Sequence, residues 1–134
     1  MIYIDDSHWV KAGIEYCDGQ AKLSVVVTNG YSDWSTQVWP SMGAKLKIHK
    51  ILQGSSFVVE AAEIESDEFQ FVRIAHLSAA DSSSSDGGGG DADVEKKWKV
   101  GPFAASPIAQ KGCKATFSEF TIGEKEKPTH SENL

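Results

Sequence analysis

A chain of 134 residues has room for one domain with one core, and its composition, 40% hydrophobic and 24% charged, is that of a globular protein. The net charge of −6, with Arg73 the one arginine among thirteen basic residues, excludes the basic footprint that nucleic-acid binding needs and disfavours an anionic membrane surface. No apolar run approaches the roughly 20 residues that span a bilayer, and MIYIDDSHWV lacks the basic flank of a signal peptide.

Along the chain, apolar residues recur at period two between closely spaced turn signals, which is the pattern of antiparallel strands. In 8–17, Val10, Ala12, Ile14 and Tyr16 share one face, while Trp9, Lys11, Gly13 and Glu15 share the other. Asp18-Gly19 then signals a two-residue hairpin. The return strand, 21–30, has a β-branched run suited to burial on both faces and ends at Asn29-Gly30. Further strands are predicted at 34–38, 44–52, 56–64, 69–77, 97–105 and 113–122. The last changes phase between Phe117 and Phe120, which predicts a bulge near Ser118–Glu119. No window has helical periodicity with caps. The whole reads as a sandwich or barrel.

Residues 80–96, with SSSSDGGGGD at their centre, are expected to form a disordered loop, because they cannot bury enough apolar area to offset ordering entropy. The polar stretch 123–134 should fray as a tail. Cys17 and Cys113 are too few for a disulfide framework and are expected as buried thiols. Neither Asn29 nor Asn133 begins a glycosylation sequon, and together these features point to a cytoplasmic protein.

The segments WVKAGIEY (9–16), LSVVVTNGYSDWS (23–35), FVRIAHL (71–77), VGPFAASP (100–107) and KATFSEFTI (114–122) occur in an order that resembles the DUF1349 family. This is the regulation-of-enolase type of concanavalin A-like lectin/glucanase proteins, similar also to the C-terminal β-sandwich of some β-xylosidases. The resemblance implies an all-β, antiparallel two-sheet jelly roll over residues 1–122. It also implies a partial one, since family members carry further strands ahead of the segment that reads MIYIDD here. A role in regulation through protein contacts is implied by the family's name. The motifs specify no chemistry.

The residues offer four kinds of candidate site. EIESDEF (63–69) offers Glu63, Glu65 and Asp67 at period two, but a glycosidase pair belongs mid-strand in a cleft, and a solvated acidic hairpin tip is the plainer account. The second is a sugar-binding face: Trp9 and Trp34 for stacking, with Lys11, Glu15 and Arg73 as polar anchors. The strand pattern sets Arg73 on the side of Phe71, away from Val72 and Ile74. The plainer alternative makes the tryptophans packing residues and the charges a self-satisfying network. His8, His49, His76 and His130 lack metal-ligand spacing, and Asp5-Asp6 reads as an acidic turn before it reads as a calcium site, so no metal or cofactor is expected. No nucleophile elbow or phosphate loop occurs. The residues thus favour a non-catalytic binding module for a carbohydrate-like ligand. A protein-interaction role comes next, and a glycoside-active enzyme last.

Overall fold

The computed structural model describes residues 1–51, 55–78 and 98–124. Eight strands form: β1 (Ile2–Asp5), β2 (His8–Cys17), β3 (Gln20–Asn29), β4 (Tyr31–Val38), β5 (Lys45–Lys50), β6 (Ser56–Ala62), β7 (Gln70–His76) and β8 (Lys99–Val100). They make a five-stranded sheet of order β4-β3-β2-β1-β8 and a three-stranded sheet of order β5-β6-β7, antiparallel throughout. The architecture is an all-β two-sheet sandwich. Its described strands leave both sheets open at their edges, so they do not close a jelly roll. No helix among the described residues is long and apolar enough to cross a membrane.

The hairpin forms where the sequence signals it. Asp18 and Gly19 take φ of 53° and 76°, the left-handed pair that matches strand twist, and Cys17 stands opposite Gln20. From there β2 and β3 pair without interruption to His8 opposite Asn29. This register puts Val10, Ala12 and Ile14 beside Val27, Val25 and Leu23 on the inner face. Across the sandwich, Phe57, Val59, Ala75 and Leu77 pack with Ile2, Val10, Val25 and Val27 in one buried cluster. Leu23, Trp39 and Ala61 form a second. Each Val, Leu, Ile or Phe side chain among them, fully buried, contributes about 1.5–3 kcal/mol of transfer free energy. Trp98 flanks the core, its ring tilted 58° to Phe57 at 5.6 Å between centroids.

Several expectations are corrected. The strand expected at 97–105 shrinks to Lys99–Val100, and 113–122 pairs with no described strand although its backbone is non-helical and exposed. Period-two patterning provides a face to bury, but a strand exists only where another backbone accepts its hydrogen bonds. The predicted phase break survives locally: Glu119 has φ of 55°, between Phe117 and Phe120. Among the described residues, 98–105 and 113–122 therefore form less ladder than their local pattern predicts. The thiols are free, and neither is fully buried: Cys17 is partly covered and Cys113 exposed. The Ser/Gly stretch at 80–96 and tail residues 125–134 lie outside the described residues.

One irregularity decides a side chain's position. Val59 pairs with Arg73 and Glu60 with Phe71, so β7 carries Val72 as an extra residue opposite that step. The bulge leaves Val72 against both core clusters and aligns Arg73 with inward-facing Val59.

Candidate functional site

The outer face of the five-stranded sheet gathers most of the residues singled out from sequence. Pairing across the strands sets Trp9 beside Thr28 and Ser32, Lys11 beside Val26 and Trp34, Gly13 beside Ser24 and Thr36, and Glu15 beside Lys22 and Val38. Tyr3 extends the first row, opposite Trp9 and Lys99. Directly paired residues project from the same face, so these side chains share one surface.

The aromatic element of that surface is held in place. The Trp34 indole Nε1–H donates to Ser24 Oγ at 2.8 Å, while 56% of the residue stays exposed. Its ring is therefore anchored at the polar end and open to solvent. Trp9 is half-buried. Along β2, Lys11 Nζ donates to Glu15 Oε1 at 2.7 Å, both side chains about one-third exposed. This ion pair bridges two residues flanking Gly13, where no atom lies within 4 Å of the place a Cβ would occupy, leaving a notch. Thr28 and Ser32 share a hydroxyl hydrogen bond of 2.8 Å. An anchored ring, an ion pair and hydroxyls on a flat surface can stack on a ligand and hydrogen-bond to it. They bring no obvious nucleophile or acid–base pair to one point.

Arg73 does not join this surface. It belongs to the other sheet, and its guanidinium crosses to β4, where Nη1 donates to Ser35 Oγ at 3.1 Å and Nη2 to Asp33. Ser35 and Asp33 pair with inward-facing Val25 and Val27, so the contact ties the sheets together at their open side. The expectation that Arg73 lies on the side of Phe71 fails because the extra residue in β7 shifts the alternation by one.

The profile of a family described as "Protein of unknown function (DUF1349)" matches residues 1–125. The chain belongs to the DUF1349 family. A curated relative from Saccharomyces cerevisiae, "Regulation of enolase protein 1", is 34% identical over 122 residues, which make up 91% of this chain and 53% of that protein. The DUF1349 chain thus spans about half the length of the curated relative it matches. A solved structure described as "a functionally unknown protein from Saccharomyces cerevisiae" is 37% identical, covering 57% of this chain and 40% of that one with a TM-score of 0.49.

Elsewhere in this DUF1349 chain the acidic turn is as solvated as its composition suggests. Glu63 and Glu65 are exposed, and Asp67 pairs with Lys45 Nζ at 2.7 Å, which holds its carboxyl below the usual range. A shallow pocket of about 330 Å³ is lined there by Glu63, Ser66, Glu68, Phe69 and Gln70. Asp5 and Asp6 serve local structure: Asp5 Oδ1 accepts from the Ser7 amide at 2.9 Å and contacts His8 Nδ1 at 2.7 Å, while Tyr3 Oη donates to Asp6 at 2.6 Å. That last bond raises the Tyr3 phenol above its ordinary value. Among the described residues no group of three or more His, Cys, Asp and Glu gathers as a metal site would require.

Sequence reasoning passed over one cluster. On the outer face of the three-stranded sheet, Glu60 is 2% exposed and its Oε2 lies 3.1 Å from His49 Nε2, with Lys47 directly opposite in register. The run FVVEAA carried the signal, since a carboxylate inside an apolar strand demands partners. Ser24 and Tyr3, which support the aromatic face, gave no signal of their own.

Proposed function

We propose that this chain is a non-catalytic binding module whose working surface is the outer face of the five-stranded sheet, and that its ligand is polyhydroxylated and carbohydrate-like. A concanavalin A-like jelly roll is the finer architecture that goes with this reading. The carrying observation is Trp34: a ring more than half exposed, yet fixed through its indole nitrogen to Ser24. Aromatic faces of this kind stack on the apolar faces of pyranose rings with little ordering cost, because the side chain is already held. Trp9, Lys11 and Glu15 would flank the ligand, the ion pair exchanging part of its mutual contact for hydroxyls. Arg73 is left out of the binding set, since its donors are engaged by Asp33 and Ser35.

A glycan array followed by titration of tryptophan fluorescence tests this. Trp34→Ala should weaken binding of a hit glycan at least tenfold while the far-UV circular dichroism stays unchanged, a loss of about 1.4 kcal/mol or more. Equal affinity in parent and variant, or no glycan hit at all, would remove the carbohydrate reading.

A second reading, a regulatory protein-contact domain, is supported by the name of the yeast relative, which links that protein to regulation of enolase. It predicts binding of the chain to purified enolase in biolayer interferometry, weakened by Trp34→Ala. Absence of that binding counts against it.

A further inference from the structure

Of the four lateral strands that the described sheets present, three are strongly guarded against pairing with another chain. β5 carries Lys45, Lys47 and Lys50 in six residues, β7 is bulged and charged at Arg73, and β8 is two residues long. Lysines, bulges and brevity are the usual guards of a sheet edge. β4 has none. All eight of its residues are exposed, its register with β3 runs unbroken from Lys22 opposite Val38 to Asn29 opposite Tyr31, and it contains no proline or lysine. Its one charge, Asp33, is engaged by Arg73 of the same chain.

The register fixes which backbone groups of β4 point away from β3. The Trp39 amide donates to the Ala21 carbonyl at 3.2 Å, just past the end of β4. Alternate residues of an antiparallel strand turn their amides to the same side, so Gln37, Ser35 and Asp33 also point into the sheet. The amides of Val38, Thr36, Trp34 and Ser32 consequently face outward.

We infer that β4 pairs antiparallel with β4 of a second copy of this chain, joining two five-stranded sheets edge to edge. A strand set against itself across a two-fold axis is self-complementary, so one exposed edge suffices for a closed dimer. Charge favours this occupant: seven of the eight residues are uncharged and Asp33 is already paired, so two β4 edges meet without unrelieved like charges. The pairing stands apart from the ligand reading above. If both hold, the Trp34 faces of the two copies form one continuous, two-site surface.

Sedimentation velocity of the full chain should give twice the 14.5 kDa chain mass, dissociating on dilution. Hydrogen exchange should show the Thr36 and Trp34 amides protected at high concentration and fast at low concentration. Thr36→Pro removes an outward amide while sparing the ladder to β3, and Val38→Lys adds a guard charge; both should sediment at the single-chain mass with unchanged circular dichroism. Phe117→Lys, in the exposed 113–122 segment, should leave the dimer intact. The inference is overturned by a parent chain of single-chain mass at every concentration, by a dimer whose β4 amides stay unprotected, or by a dimer that only Phe117→Lys disrupts. A monomer that instead takes up an unrelated extended peptide along β4 would assign the edge to another partner and equally overturn it.

Discussion

Glu60 and His49 show how much one residue's role depends on where its neighbours fall. A carboxylate buried to this degree is tolerated only with partners, because desolvation outweighs anything a lone charge gains in the interior. His49 Nε2 at 3.1 Å is one of them, and the imidazole is itself nearly covered, with 10% of its side chain exposed. His49→Leu should therefore destabilise the fold by about 1–3 kcal/mol, the cost of a buried acceptor that loses a bond. A urea midpoint unchanged from the parent, at the same m-value, would show that Glu60 needs no help from His49. The sequence marks Glu60 as anomalous inside FVVEAA. Its partner is named only by the register that sets Ile48 opposite Val59, which no local pattern encodes. Trp34 is the same case in reverse: its exposure could be guessed from the polar residues around it, whereas the anchoring Ser24 lies ten positions away.

Among the elements, the β2–β3 hairpin was the most legible, since Asp18-Gly19 encodes both the turn and the register of the ten-residue strands on either side. Gly19→Ala would force a Cβ into a backbone at φ of 76° and should cost about 1–2 kcal/mol by thermal or urea unfolding. A neutral result would mean that the turn relaxes into another type. The segment 113–122 was the least legible. Ala115, Phe117, Phe120 and Ile122 repeat like a strand and Glu119 breaks the phase where expected, yet no described strand lies beside them. Alternation records which face would be buried; a ladder also needs a second backbone at hydrogen-bonding distance.

At the scale of the molecule, Arg73 matters as a tie between sheets. Its guanidinium reaches from β7 to Ser35 and Asp33 of β4, on the side where the inner faces would otherwise part. With 72% of the Asp33 side chain exposed, the ion pair itself is worth little, so Arg73→Ala should lower stability by only about 1 kcal/mol. Faster hydrogen exchange in β4 and β7, with β1 and β2 unaffected, should accompany that loss. Exchange that rises uniformly, or not at all, would rule out a local clamp.

The amino-acid sequence by itself determined that the chain builds strands, where the β2–β3 hairpin turns, and that Trp9, Lys11 and Glu15 share a face, because turn chemistry and period-two alternation act within a few residues. The tertiary structure alone decided that Arg73 belongs to the inner side of the opposite sheet, that Glu60 is buried against His49, and that 113–122 pairs with no described strand. Those outcomes depend on a single extra residue in β7 and on register between strands distant in the chain, and a one-residue slip reverses every side chain that follows it.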